Sequence, residues 1–299
     1  MELPLESVPN FSEGRDRATI DALGQALSHH AELLDVHSDP DHNRSVFTLV
    51  GDEENLVAAL LAGISTAQER IDLRRHEGAH PRIGAADVVP IVALDPADAE
   101  RARACALRLA DRIGSELELP VFLYADSAPG HGPAFFRQGG PVELQRRIDA
   151  GEVRPDFGPA RLDERAGGVI VGARRPLIAF NVNLETDDVE IARAVAAVVR
   201  ETGGGFPGVR ALGLALPSVG RVQVSMNVED YEAAELHELV ARVEEEARAR
   251  GTAVAGAELV GLLPAGAALA AAGAVLRIEG FSPSRVLELR LLDRMRDRP

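Results

Sequence analysis

The pattern of apolar and polar positions is clearest in the C-terminal half of the chain. Residues 175–184 form a short apolar run typical of a strand, and the segment that follows has its apolar residues on one helical face, with Thr186 as the expected N-cap. That face consists of Val189, Ala192, Val195, Ala196 and Val199. This half therefore begins with a strand followed by a helix.

The remainder of this half continues the alternation. Residues 209–228 form two strand-like runs around a turn at 217–220, which predicts a hairpin. Residues 230–251 have the pattern of an amphipathic helix, and residues 253–264 that of a last strand. The order β-α-β-β-α-β predicts a ferredoxin-like unit of mixed or antiparallel sheet with helices on one face.

The N-terminal half repeats this order. Strand-like runs at 3–11, 32–51 (a hairpin turning at 39–41) and 83–94 alternate with helical patterns at 16–29 and 54–71. An extra helix at 96–117 and a strand at 120–126 follow, and residues 141–174, rich in Gly, Pro and charge, are expected to be a long functional loop joining the halves. We therefore predict an α/β protein of two units, 1–174 and 175–299, with a ligand crevice between them.

Composition narrows the choice of partners. The net charge of −15 disfavours nucleic acid and anionic membranes, and no apolar run is long enough to span a bilayer. The N-terminus lacks the pattern of a secretory signal, so we expect a cytoplasmic protein. Every basic residue is an arginine, which excludes Schiff-base and Walker A lysines. The single cysteine, Cys105, falls in a helical pattern and is expected in the core.

Residues 76–80 match the zinc-protease motif H-E-x-x-H. The motif requires a helix, but Gly78 lies between the two histidines and Pro81 disfavours helical geometry at His80. We therefore predict a loop and no metal site. A loop histidine beside Arg82 and Asp87 has the unperturbed pKa of a general base, although the pattern alone favours a solvated surface histidine.

Several strings occurring in one order carry a family resemblance: VPNFSEGR, DHNRSVFTLVG, RRHEGAHPRIGAADVVPIV, PVFLYADSA, PDFGPA, VGARRPLIAFNVNLET, VQVSMNVEDY and ELVGLLP. Together they resemble the glutamate formimidoyltransferases over nearly the whole chain. The resemblance implies transfer of a formimidoyl group between N-formimidoyl-L-glutamate and the co-substrate tetrahydrofolate in histidine degradation. It also implies a homodimer, no metal, and a single-function form served by a separate cyclodeaminase.

The resemblance assigns roles to particular residues. It implies that the catalytic base is His80, the histidine of the string HPR. It places the folate-binding segment on the ten residues Gly158, Pro159, Ala160, Arg161, Leu162, Asp163, Glu164, Arg165, Ala166 and Gly167. The family often has His-Pro near Asp163-Glu164, so two carboxylates are a departure here, and backbone N–H groups are expected to serve the ligand instead.

Other polar residues are candidates for substrate binding. Arg44 and Arg82 are expected to clamp glutamate carboxylates, although each also fits an ordinary surface arginine. Asn10, Asn181 and Asn183 are predicted at strand ends, where they face the crevice or complete local turns. Asp35 lies in an apolar strand and is a candidate to orient His80 or to balance the amidine charge.

Two other functions remain open on the sequence. One is a related one-carbon enzyme acting on 5-formyltetrahydrofolate, because the donor is selected by small contacts at the reacting carbon. The other is a non-catalytic, duplicated ligand-sensing module, since the fold alone does not set the function.

Overall fold

The computed structural model describes the backbone of residues 3–296 and the side chains through residue 292. The chain divides into two units, the first Leu3–Arg175 and the second beginning at Pro176. Each unit has its own sheet and its own apolar core.

The described residues of the first unit form a seven-stranded sheet with helices on both faces. Its strands are β1 (Leu5–Ser7), β2 (Asn10–Phe11), β3 (Glu32–Asp39), β4 (Arg44–Gly51), β5 (Ala86–Ala93), β6 (Val121–Leu123) and β7 (Val169–Arg174). Its helices are α1 (Arg17–Ser28), α2 (Glu53–Arg70), α3 (Ala99–Glu116), α4 (Pro133–Arg137) and α5 (Gly140–Asp149).

The strand order of this sheet contains the predicted unit. β1 and β2 together occupy one position between β4 and β5, and β3 pairs with the outer edge of β4, all antiparallel. The first four positions are thus those of a split βαβ motif. Two further strands extend it, because β7 pairs parallel to β5 and β6 pairs parallel to β7.

Residues 141–174 are not the long connecting loop that the sequence suggested. The stretch contains most of α5 and all of β7, which lies inside the first sheet between β5 and β6. Pro141 lies in the first turn of α5. A backbone N–H at this position would have no partner within the helix, so proline, which lacks the N–H, is tolerated there. The prediction failed because the stretch is rich in glycine and charged residues, and this composition concealed the short buried apolar run that forms β7.

Alternate residues of β7 join two different clusters, which shows how the helices are arranged. Val169 and Val171 pack in the core under α1, α2 and α3, whereas Ile170 packs with Phe122 and Phe136. Because successive strand residues point to opposite faces, α4 and α5 cover the face opposite to the other helices. Cys105 in α3 is fully buried as predicted, and burial raises the pKa of its thiol to about 12.

The second unit is a four-stranded antiparallel sheet in the order β11-β8-β10-β9, which is the same order as the first four positions of the other sheet. Its elements are β8 (Ile178–Leu184), α6 (Val189–Val199), β9 (Val209–Leu216), β10 (Arg221–Val228), α7 (Leu236–Ala249), β11 (Val254–Val260), α8 (Ala265–Leu276) and α9 (Leu287–Arg296). The prediction of two ferredoxin-like βαββαβ units is confirmed.

One detail of the second unit differs from the prediction. The N-cap of α6 is Asp188, whose side chain accepts a hydrogen bond from Glu190 N, and not Thr186. Thr186 Oγ1 instead accepts from Asp188 N at 3.2 Å and so shapes the turn before the helix. Within residues 3–296, none of the helices combines the length and apolarity that crossing a membrane requires.

Candidate active site

The H-E-x-x-H segment is a loop, as predicted. A short 3-10 helix, Leu73–Arg75, ends at His76, whose backbone is extended at φ −90° and ψ 129°. The Nε2 atom of His76 lies 2.9 Å from Arg82 Nη1 and 3.1 Å from Asn43 O. The motif is therefore without the helical geometry that places both imidazoles on one metal, and its first histidine is bonded within the protein.

This loop is fastened to the turn between β3 and β4. Ala79 N donates to Asp41 O at 3.0 Å, and Asn43 Nδ2 donates to Glu77 O at 2.9 Å. Gly78 is required at the contact, because a Cβ at this position would collide with His42 O and Arg82 Nη2. The two segments consequently form one rigid corner.

All three nitrogens of the Arg82 guanidinium hold this corner together by hydrogen bonds. Nη1 donates to Asn43 O at 2.8 Å and Nη2 to His42 O at 2.6 Å, while Nε and Nη2 both donate to His80 O at 3.1 and 2.7 Å. These donors are directed at protein carbonyls and not at a ligand, contrary to the carboxylate clamp expected for Arg82. The residue fixes the backbone of His80 instead.

His80 is partly buried and its ring is oriented by its own neighbour. Nδ1 lies 2.8 Å from Pro81 O, and because a carbonyl can only accept, Nδ1 carries the proton. In the neutral ring Nε2 then holds the lone pair that accepts a proton. Burial, followed by the charges of Arg44 and Arg137, lowers the pKa of His80 well below 6.5, and Asp87 opposes this effect only in part.

Asp87, at the start of β5, is the centre of a buried ionic network. Its carboxylate accepts from Arg44 Nη1 at 2.8 Å, from Arg137 Nη2 at 2.6 Å and from Ile83 N at 2.8 Å. Burial alone would raise the pKa of Asp87, but the two guanidiniums and this N–H outweigh it and hold the pKa well below its usual range. Asp87 is therefore ionised and shared between two cations.

Asn10 and Arg44 belong to the same network, and their predicted roles in substrate binding stay predictions. Arg44 Nε donates to Asn10 Oδ1 at 3.0 Å, and burial lowers the pKa of Arg44 to about 10, so the guanidinium is still charged at neutral pH. Asp35 lies on the outer strand β3 opposite Thr48 and is half-buried. The fully buried carboxylate of this region is Asp87.

Asp87 and Arg137 were missed as site residues. Asp87 gave a signal, since it is the one charged residue in the apolar run IGAADVVPIVAL. Arg137 gave none, because it lies in a Gly- and Pro-rich segment and meets Asp87 across 50 positions of sequence. Contacts at such a separation are set by the packing of α4 on the sheet.

The expected folate segment, residues 158–167, is a loop closed on itself. Asp163 and Gly167 exchange backbone hydrogen bonds, and Asp163 Oδ1 accepts from Arg165 N at 2.8 Å and from Ala166 N at 2.7 Å. Glu164 forms an exposed ion pair with Arg161 at 3.5 Å. Both unusual carboxylates are thus engaged within the loop, and several of the N–H groups expected to serve a ligand are occupied.

The end of this loop lies beside the segment that follows His80. Ala85 N donates to Ala166 O at 2.8 Å, and Gly168 N donates to Ile83 O at 3.1 Å. Gly167 has a φ of +73°, and a Cβ there would collide with Ile83 O. The structure therefore brings the end of the folate segment within a few residues of the catalytic candidate.

Asn181 lies in the middle of β8 and Asn183 lies one residue before its end at Leu184, so the prediction of a strand-end position holds for Asn183 and is wrong for Asn181. Asn181 Nδ2 donates to Glu258 Oε2 at 3.0 Å, while Gln223 Nε2 donates to Asn183 Oδ1 at 2.9 Å and to Glu258 Oε2 at 3.2 Å. These four side chains form a polar cluster on the face opposite to the core residues Val182 and Val224.

The first unit thus combines a neutral histidine, fixed by a backbone pin, with a buried carboxylate shared by two arginines. Such a combination is suited to acid–base chemistry, and it lies on a duplicated ferredoxin-like scaffold. Comparison with known proteins gives the family. Residues 4–174 match the formiminotransferase domain, N-terminal subdomain, and residues 179–282 match the formiminotransferase domain.

Named relatives cover the chain nearly end to end. The glutamate formimidoyltransferase of Streptococcus pyogenes serotype M1 is 39% identical over 96% of this chain and 98% of its own length. That of Thermoplasma acidophilum is 39% identical over 96% of this chain and 97% of its own. The formimidoyltransferase-cyclodeaminase of Rattus norvegicus is 39% identical over 90% of this chain, which spans 51% of that protein. The chain belongs to the formiminotransferase family.

Proposed function

We propose that this protein transfers the formimidoyl group between N-formimidoyl-L-glutamate and tetrahydrofolate, giving 5-formimidoyltetrahydrofolate and L-glutamate in histidine degradation. The observation that carries the proposal is the state of His80, whose Nδ1–H is tied to Pro81 O and whose Nε2 is a base at neutral pH. The names of the full-length relatives support the choice of substrates.

The reaction exchanges two amines on one amidine carbon. N5 of tetrahydrofolate attacks the carbon of the N-protonated formimidoyl group, and the C=N electron pair moves onto nitrogen to give a tetrahedral adduct. His80 Nε2 accepts the proton that N5 loses, and the imidazolium then donates it to the glutamate nitrogen. The C–N bond to glutamate breaks and the new amidinium forms, so protons and electrons balance.

The surroundings of His80 suit both proton transfers. The lowered pKa keeps the free histidine neutral and able to accept the first proton. The protonated amidine is already electrophilic, so the chemistry does not call for a metal. The pin by Arg82 holds the base in one place, and a fixed attack geometry supplies much of the rate. The folate is proposed to contact residues 158–167, with Asn181 and Asn183 as further contacts to substrate.

A turnover assay with purified protein, tetrahydrofolate and N-formimidoyl-L-glutamate tests this proposal. We expect His80→Ala to lower kcat by about 100- to 10,000-fold while tetrahydrofolate still binds, with EDTA without effect. His29→Ala, an exposed histidine at the end of α1, is the matched control and should keep full activity. Turnover only with 5-formyltetrahydrofolate, or folate binding without any turnover, would contradict the proposal and favour a formyl-directed enzyme or a sensing module.

We also propose a cytoplasmic homodimer. The C-terminal helices support a self-contact, since they leave large apolar side chains exposed: Val275, Leu276, Leu287, Leu291 and Leu292. The double variant Leu287→Glu/Leu291→Glu should then elute as a monomer in size-exclusion chromatography with light scattering, beside a dimeric wild type. A monomeric wild type would contradict this.

We propose further that the product passes to a cyclodeaminase. The name of the rat relative supports this, because it joins the two activities.

A further inference from the structure

Three arginines surround His80, and they differ in how many donors they use. Arg82 directs Nε and both Nη atoms at carbonyls of the protein. Arg44 donates from Nε to Asn10 and from Nη1 to Asp87. Arg137 donates a single hydrogen bond within the described part of the chain, from Nη2 to Asp87. Most N–H groups of the Arg137 guanidinium therefore have no hydrogen-bond partner among the described residues.

The side chains around His80 also carry more positive than negative charge. The guanidiniums of Arg44, Arg82 and Arg137 act on one another and on a single shared carboxylate, that of Asp87. Side chains here are largely removed from water, with 7% exposed for Arg44, 0% for Asp87 and 14% for Arg137. Uncompensated positive charge in such a place is costly unless an anion joins it.

Arg137 also carries an unsatisfied donor. Its Nε is buried and has no hydrogen-bond partner among the described residues. A buried donor left without a partner destabilises the folded state, so its retention calls for an explanation in a ligand. The side chain is held in place from both ends, since Phe136 beside it is packed in the core and Nη2 is fixed on Asp87 at 2.6 Å.

We propose that Arg137, with the remaining edge of Arg44, binds a carboxylate group of a substrate beside His80. A planar guanidinium fork matches a carboxylate with two parallel hydrogen bonds. This inference rests on the proposed function, in which both substrates carry glutamate carboxylates: one on the formimidoyl donor and one on the folate tail. The proposed site adds to that function by naming the arginines that orient one of these two carboxylates.

Such a carboxylate would also adjust the base. In the free protein burial, together with the charges of Arg44 and Arg137, favours neutral His80, ready to accept a proton. A bound anion offsets these charges, so the pKa of His80 rises on binding and the imidazolium that must protonate the leaving amine becomes easier to form. Binding and acid–base function are thereby coupled through the same guanidiniums.

Equilibrium binding measured by calorimetry tests the site without requiring turnover. The ligands are N-formyl-L-glutamate as a stable donor analogue, tetrahydrofolate, and tetrahydropteroate, which lacks the glutamate tail. Wild type is compared with Arg137→Gln, with Arg137→Lys, and with Arg146→Gln as the matched control, an exposed arginine on the neighbouring helix.

We expect Arg137→Gln to weaken one glutamate-bearing ligand by about tenfold or more and to leave tetrahydropteroate unchanged. Loss confined to N-formyl-L-glutamate assigns the donor carboxylate, and loss confined to tetrahydrofolate assigns the folate tail. Equal weakening of all three ligands, or affinities equal to those of the Arg146→Gln control, would overturn the proposal.

Arg137→Lys guards against a folding defect, because it keeps the charge but loses the fork, and we expect intermediate binding. If Arg137→Gln does not fold, the same comparison of ligands is decided on the lysine variant. Failure of this inference and failure of the proposed function can be told apart, since a wild-type protein that binds these ligands but transfers no formimidoyl group would refute the reaction and leave the carboxylate site standing.

Discussion

The two sheets of this protein share one strand order but present different chemistry on the face away from their core helices. The first carries a charged network, in which Asp87 is shared between Arg44 and Arg137. The second carries mainly amides, with Asn181, Asn183 and Gln223 arranged around Glu258. On the same scaffold, this face therefore carries mainly charged groups in the first unit and mainly amide groups in the second.

This difference indicates where the acid–base chemistry resides. A charged network perturbs the pKa of a nearby group, and His80 lies within reach of the fields of Arg44, Arg137 and Asp87. Amides direct hydrogen bonds but move protons poorly. We therefore expect substitutions in the first unit to have larger effects than matched substitutions in the second.

The largest expected effect follows removal of the charge at the centre of the network. Asp87→Asn leaves two buried guanidiniums without their carboxylate and should lower the free energy of unfolding by about 3–5 kcal/mol. The matched change in the second sheet, Glu258→Gln, should cost about 1–2 kcal/mol, because it weakens the hydrogen bonds that Asn181 and Gln223 donate. Urea unfolding of both variants measures the difference, and equal losses would refute the contrast.

Arg82→Gln should act next, through the position of His80. Displacing a catalytic group by about 1 Å costs roughly 100-fold in rate, so kcat should fall by about that factor while KM changes little. Arg82→Lys should fail to restore kcat, because a single ammonium cannot reach the carbonyls of His42, Asn43 and His80 together. A raised KM with normal kcat would show that Arg82 binds substrate after all.

Gln223→Leu probes the amide cluster alone. It removes the donor that Asn183 and Glu258 share, and we expect a loss of about 1–2 kcal/mol in the free energy of unfolding, with kcat unchanged. A large fall in kcat would place chemistry in the second sheet and break the comparison.

The smallest expected effect is on stability below neutral pH. Burial lowers the pKa of both His76 and His80 from 6.5, so the unfolded chain binds protons first as the pH falls. The free energy of unfolding should therefore be constant above about pH 6.5 and decrease below it. The decrease should be smaller in His76→Gln, and urea unfolding across this range measures it. An unchanged slope would indicate that His76 does not contribute.

The fold was predictable because its pattern is local. Strand and helix periods along the chain sufficed for both βαββαβ units, and the loop at Gly78 and Pro81 followed from backbone sterics alone. The extent of the elements was less predictable, because β7 lies in a Gly-rich stretch that the pattern assigned to a loop.

The site was predictable only where a motif reached it. His80 followed from its string, whereas Arg44 and Asn10 were separate candidates for substrate binding. Arg44 is joined to the network by Asp87, whose partners Arg44 and Arg137 lie 43 and 50 positions away, so that no local pattern connects them. Arg82 is the opposite case. It lies close to His80 in sequence, which suggested that it binds a ligand, but its donors are directed at backbone carbonyls.

The central claim is that burial and the charges of the arginine network hold His80 neutral, and its titration tests this most directly. Proton–nitrogen NMR correlations of histidine-labelled protein, with His80→Ala to assign the signal, would follow the ring through pH. We predict that His80 remains neutral, with the proton on Nδ1, at pH values well below 6.5, the ordinary value. Titration of His80 at or above 6.5, or a neutral ring with the proton on Nε2, would contradict the account.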